Sequence, residues 1–210
     1  KDVRPVAAAA RVLVFLESRP EVPVQGVAEF IAYAKANPGK LSYGSPGTGS
    51  SPHLAGAMLA DAAKIDILHI PYKGAAPALN DLLGGQIQFW FDPGIGLQHV
   101  RSGALRMLAV GSPKRSPQFP DVPTLSEAGM TGFDADTWFG IYAPAATPAD
   151  VVARVNREVN KLLLTPAVRD RIAGLGGEAA PISPAEFGEM QRIDRERFGA
   201  VVRAAGIKAE

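Results

Sequence analysis

Three times between residues 40 and 102 the chain passes from a short apolar strand pattern, through glycine and other small residues, into a helix pattern. The first pass runs from Leu41 through a loop at 44–51 to a helix over His53 to Ala63. The second has a strand at Ile65 to Ile70, a loop at 71–76 and a helix at Pro77 to Leu83, stopped by Gly84 and Gly85. The third has a strand at Ile87 to Phe91, a loop at 92–96 and a short helix at Leu97 to Ser102. Strands alternating with helices at this spacing predict a mostly parallel sheet with helices on both faces. Ligands of such sheets bind beyond the C-terminal ends of the strands. All three loops leave strands in that sense, so they are expected to converge on one site.

The first loop carries the most chemistry. Gly44, Gly47 and Gly49 permit a tight turn and close approach of a ligand to the backbone. Ser50 or Ser51 is positioned to cap the next helix, and Pro52 suits its first turn. A helix N-terminus offers unpaired N–H groups and a partial positive charge, which favours anions. The hydroxyls of Ser45, Thr48, Ser50 and Ser51 lie beside those amides. The expected ligand is therefore an anion, and a carboxylate before others. Two sharper motifs fail. The spacing from Gly44 to Gly49 is that of a nucleotide P-loop, but Ser50 stands where its Lys is required. Tyr43 occupies the first glycine position of a Gly-x-Ser-x-Gly nucleophile elbow around Ser45.

Elsewhere, Val3 to Leu16 reads as extended chain with apolar residues on both faces, the pattern of a buried strand. Val27 to Ala36 reads as a helix ended by Asn37-Pro38-Gly39. Leu105 to Val110 and Trp138 to Tyr142 read as strands. Thr147 and Pro148 are expected to start a long helix over Asp150 to Leu164, with Val151, Val152, Val155, Val159, Leu162 and Leu163 as its apolar stripe. Ser183 and Glu186 form a capping box for the last helix, whose Arg192, Asp194, Arg195, Glu196 and Arg197 read as a solvated face.

The remaining composition mainly excludes. The formal charge is +1 and points to neither nucleic acid nor an acidic membrane surface. With no cysteine, disulfides and thiolate metal sites are absent. His53, His69 and His99 match no zinc spacing, so no metal is expected and each reads as a hydrogen-bonded structural residue. Between residues 40 and 100 the cations are Lys40, Lys64 and Lys73, with no Arg. A carboxylate there would be held by amides and hydroxyls rather than by an arginine fork. Asp92 is the acid on a strand-end loop, read either as a ligand contact or as a cap of the next turn. Trp90 and Trp138 read first as core, Trp138 being the better site candidate because the chain leaves the sheet there. A small α/β enzyme acting on a carboxylate, with Asp92 or His69 as base, is the competing reading. It lacks a visible pair of titratable groups with separated roles.

Tyr43 to Gly56, read as YGSPGTGSSPHLAG, resembles a signature of the substrate-binding proteins of tripartite tricarboxylate transporters, the Bug receptors. So do His69-Ile70-Pro71-Tyr72-Lys73-Gly74 followed by Ala75-Ala76-Pro77-Ala78, and Asp81-Leu82-Leu83-Gly84-Gly85-Gln86. Phe91-Asp92, Val122-Pro123-Thr124 and Trp138-Phe139-Gly140 extend the match along essentially the whole chain. The resemblance implies a periplasmic-binding-protein-like α/β fold of two lobes joined by crossing strands at Arg11–Leu16 and Trp138–Ala143. A second lobe would occupy 17–137, and a first lobe 1–16 with 138–210. It implies a periplasmic receptor, with neither catalysis nor cofactor, that binds a di- or tricarboxylic or aromatic acid between its lobes and passes it to a membrane permease. Carried over by position, the ligand residues are Ser45, Gly47, Thr48, Gly49, Ser50, Gly74, Ala75, Ala76 and Asp92, with Trp138 added from the reading above.

The family pattern begins with a strand, a proline- and glycine-rich loop and a helix, and nothing in this sequence matches them. The expectation is that roughly the N-terminal third is missing. The first lobe is then incomplete, its apolar edges exposed, with self-association and weakened ligand binding as consequences. Trp90 between Phe89 and Phe91 is bulkier than the pattern and points toward an aromatic acid.

Overall fold

A computed structural model describes residues 2–208. In chain order the elements begin β1 (Val3–Val12), β2 (Phe15–Ser18), α1 (Val27–Ala36), β3 (Leu41–Ser45), α2 (Ser51–Ala63) and β4 (Ile67–Pro71). They continue with α3 (Ala75–Gly84), β5 (Phe89–Asp92), α4 (Leu97–Arg101), β6 (Arg106–Val110) and β7 (Thr137–Pro144). The last four are α5 (Ala149–Leu163), α6 (Pro166–Gly174), β8 (Gly177–Ala179) and α7 (Pro184–Ala204). Two compact units result. One holds residues 2–12 and Thr137–Ala200, the other Leu13–Asp136 and residues 201–208. The expected crossing strand Arg11–Leu16 is two strands, because β1 ends at Val12 and β2 begins at Phe15 in a different sheet.

The larger unit is built on a five-stranded sheet in the order β4-β3-β5-β2-β6. β3 is parallel to β4 and β5, while β2 is antiparallel to β5 and β6. The expected parallel sheet is thus interrupted by one reversed strand at a fully buried position. For this reason the run Leu13 to Leu16, which leads into and begins that strand, is apolar on both faces, while the strand's last two residues, Glu17 and Ser18, are buried polar groups. Val14 and Leu16 join the core that holds Phe30, Leu59 and Phe89, whereas Leu13 and Phe15 join Leu97 and Val110. Fully burying a side chain such as Phe30 or Leu59 contributes about 1.5–3 kcal/mol.

Two glycines let the helices close on this sheet. A side chain at Gly56 of α2 would fall on the Tyr43 ring of β3. A Cβ at Gly44, the next residue along β3, would lie 2.6 Å from Ile87 and 3.3 Å from Ala78 of α3. Neighbouring strand residues face opposite sides, so α2 and α3 cover opposite faces of β3.

The smaller unit has a three-stranded antiparallel sheet, β7-β1-β8. Asn156 of α5 donates to the carbonyls of Val6 and Ile182, both at 2.9 Å. The Phe187 ring of α7 occupies the space that a side chain at Gly140 would need. The expected capping box is present: the Ser183 amide donates to Glu186 at 2.8 Å, and the Glu186 amide to Ser183 Oγ at 3.2 Å. The start of α5 differs, because Pro148 holds the cap position without a side-chain bond. Its apolar stripe is wider than its packing surface. Val152 and Leu163 are buried, but Val151, Val155 and Leu162 remain exposed.

Candidate functional site

β3, β4 and β5 are neighbours running the same way, so the 45–50, 71–74 and 92–96 loops all leave one edge of the sheet. Two backbone bonds tie the first two loops together. Tyr72 N–H donates to Ser45 O at 2.9 Å, and Gly74 N–H to Pro46 O at 3.2 Å. Gly74, at φ +119°, turns the chain directly into α3, so the amides of Ala75 and Ala76 open that helix. α2 starts at the same edge, where Leu54 N–H makes its first bond, to Ser50 O. The site therefore joins two helix N-termini, of 13 and 10 residues, and both present positive dipole ends to one edge.

Within the first loop the serines turn inward. Ser50 does not cap α2 through its side chain; its Oγ donates to Gly47 O at 2.6 Å, and its own amide donates there at 3.2 Å. Ser45 is fully buried at the end of β3, with Oγ 3.0 Å from the same carbonyl and 2.7 Å from His69 Nε2. Gly47 and Gly49 both have positive φ, which the loop path requires. Thr48 lies between them and is partly exposed. The Gly49 amide donates to His53 Nδ1 at 3.0 Å. The His53 and His69 rings stack 3.6 Å apart and within 4° of parallel. Burial lowers the pKa of both, and the neighbouring His53 helps bring His69 down to about 4.

Asp92 sits at the end of β5 beside the other loops, but its carboxyl is fully buried. It accepts the Gly96 amide at 2.9 Å, the cap of the next turn that sequence offered as the alternative. Across the β5–β2 ladder lies Glu17, also fully buried, which receives the Trp90 indole N–H at 2.9 Å. A Cβ on Gly96 would be 2.7 Å from Glu17 and 3.1 Å from Asp92, so both carboxyls converge on that glycine. Burial raises the Asp92 pKa to about 6, and burial beside Asp92 raises that of Glu17 well above its usual range. The two therefore share a proton, with Glu17 the protonated member. Sequence reasoning missed Glu17, although an acid inside the run VLVFLES was the available signal.

Trp138 belongs to the smaller unit. It packs near Phe187 and lines an open cleft of about 600 Å³ with Pro5, Tyr142, Gln191 and Phe198. In the larger unit a groove of about 600 Å³ runs along Ala57, Met58 and Phe133 and includes none of the expected ligand residues. Among the described residues there is no cluster of three potential metal-ligating side chains, and no helix is long and apolar enough to cross a membrane.

This mixed α/β architecture, with helix N-termini gathered on one strand-end edge, is that of a periplasmic-binding-protein-like solute receptor. The chain belongs to the tripartite tricarboxylate transporter family receptors, whose profile matches residues 1–207. The family is one of receptors rather than enzymes, which removes the enzymatic reading. A Pseudomonas protein from a tcbD–tcbE intergenic region is 36% identical over 96% of this chain. An R. palustris protein solved with adipate aligns over 99% of this chain and 70% of its own, at 32% identity and TM-score 0.92. MatC from Rhodopseudomonas palustris with bound malate aligns over 95% of this chain and 69% of its own, at 29% identity and TM-score 0.86. The chain spans 61% of the length of the Pseudomonas relative.

Proposed function

We propose that this chain is the carboxylate-binding part of an extracytoplasmic solute receptor. It takes a small di- or tricarboxylate or an aromatic acid in the periplasm and delivers it to the permease of a tripartite tricarboxylate transporter. The ligand residues are Ser45, Gly47, Thr48, Gly49 and Ser50 in the first loop and Gly74, Ala75 and Ala76 in the second. Asp92 serves by holding the third loop through the Gly96 amide, and Trp138 is the candidate contact within the smaller unit.

The observation that carries this reading is the pair of backbone bonds from Tyr72 to Ser45 and from Gly74 to Pro46. They fasten two helix N-termini to one edge, an arrangement of amides that favours an anion without any arginine. Adipate and malate in two relatives agree with that chemistry.

The experiment is a thermal-shift screen against mono-, di- and tricarboxylates and aromatic acids. A ligand that binds only the folded state raises Tm by mass action, by about 2.7 kcal/mol of stability at a hundredfold excess over Kd. A rise confined to one chemical class identifies the substrate class. The absence of any rise, both for this chain and for a chain of its relatives' full length, overturns the proposal.

A further inference from the structure

The first loop is held at both ends by one stack of imidazoles. Ser45 meets His69 at 2.7 Å at one end, and the Gly49 amide donates to His53 Nδ1 at 3.0 Å at the other. The rings themselves are in van der Waals contact at 3.6 Å. A nitrogen that accepts an N–H bond carries no proton, so this geometry assigns His53 as the neutral tautomer protonated on Nε2. We propose that His53 is a positioning residue for the carboxylate loop, holding residues 47–50 through the Gly49 amide only while its ring is neutral, so that acid releases the loop and its ligand together. The inference rests on the receptor reading above.

Protonating Nδ1 removes the acceptor and leaves the Gly49 amide facing an N–H. A second proton on His69 would place two cations in contact, so the stack cannot be fully charged and intact. The titratable groups around it are few. β3 supplies Tyr43, whose ring lies 5.0 Å from that of His69 and whose hydroxyl donates to His53 O at 3.2 Å. β4 supplies His69 and α2 supplies His53. The second loop carries Lys73, and on α3 Asp81 accepts from the Tyr72 hydroxyl at 2.7 Å. Among the described residues no carboxylate is hydrogen-bonded to either ring, whose partners are Ser45 and the Gly49 amide.

Two variants separate this role from simple packing. His53→Asn keeps an acceptor near Nδ1 but cannot be protonated; His53→Phe keeps a ring but has no acceptor. The first readout is the ¹⁵N NMR spectrum of the imidazoles and of the Gly49 amide, from pH 7.5 down to 4. The expected result is an unprotonated Nδ1 on His53 and a hydrogen-bonded Gly49 amide at pH 7.5, lost together on acidification. His53→Phe loses the Gly49 signature at every pH, and His53→Asn keeps it throughout. The second readout is calorimetric titration with adipate and malate at pH 7.5. Affinity is expected to fall about tenfold in His53→Phe and to be restored by His53→Asn. A proton on His53 Nδ1 at pH 7.5, an unchanged Gly49 amide in His53→Phe, or an acid transition retained in His53→Asn overturns the proposal. Failure of the unsubstituted protein to bind either acid, with the NMR result intact, counts against the receptor reading and not against the loop anchor.

Discussion

Trp90 donates its indole N–H to Glu17 at 2.9 Å across adjacent antiparallel strands, with both side chains fully buried. The bond holds an acid in the middle of a sheet, against Asp92, where one proton must be shared. Both acids have folded-state pKa values above those of the unfolded chain: burial raises Asp92 to about 6, and burial beside Asp92 raises Glu17 well above its usual range. Their contribution to stability is therefore complete below about pH 4 and is lost as pH rises through about 6. Glu17→Gln keeps an acceptor for the indole and supplies a permanent donor to Asp92. It should stabilise the protein by about 1 kcal/mol at pH 7 and by almost nothing at pH 4. Urea unfolding at the two pH values measures this. Destabilisation at pH 7 would show that the pair is not proton-sharing.

Helix closure on β3 gives a second prediction. A methyl at position 56 falls on the Tyr43 ring, whereas one at Gly26 meets nothing within 4 Å. Gly56→Ala should cost about 2–3 kcal/mol as an overpacked core substitution, while Gly26→Ala, which meets no neighbour, loses only the preference for Gly over Ala at the N-cap of α1 and stays below about 1 kcal/mol. Denaturant melts of both variants test this, and equal effects would mean that α2 does not lie against β3 as described.

The ligand loops give a third. Thr48→Ala removes a hydroxyl beside the start of α2. Gly74→Val puts a branched side chain at φ +119°, a backbone conformation it strains to adopt. Adipate or malate affinity should drop about tenfold in each. Calorimetry reads the drop, and circular dichroism separates it from unfolding of α3. Unchanged affinity in both variants would put the carboxylate somewhere other than these helix starts.

The larger unit was legible because its signals are local. The glycines at 47, 49 and 74 mark sharp turns after strands, and 3.6-residue periodicity marked Val27–Ala36 with its observed limits. The reversal of β2 was not legible, since a strand buried on both faces reads the same in either direction. The direction of the serine hydroxyls was also hidden. Ser50 looks like a helix cap by position, but the carbonyl of Gly47 competes for its Oγ and wins at 2.6 Å. His53 and His69 lie 16 residues apart and meet only because β4 pairs beside β3 and α2 folds back over them. Pairings of this kind carry no spacing that one sequence can reveal.

The imidazole stack and the acid pair pull stability in opposite directions over the same pH range, and this yields the last prediction. His69 has a folded pKa of about 4, below its unfolded value, and His53 is lowered as well. The stabilising contribution of the stack is complete above about pH 6.5 and is lost as pH falls toward 4. The Glu17–Asp92 pair behaves in reverse, so the unsubstituted protein should show a shallow dependence of Tm on pH between 4.5 and 6.5. Glu17→Gln removes the contribution that falls with pH, and its Tm should climb more steeply across that interval. His53→Asn weakens the contribution that rises with pH, and its Tm should climb less or decline. The change in Tm from pH 4.5 to 6.5 should thus be most positive for Glu17→Gln, intermediate for the unsubstituted protein and least for His53→Asn. Scanning calorimetry gives the order directly. A reversed order would mean that the buried acids and the stacked imidazoles hold their protons in a way this geometry does not allow.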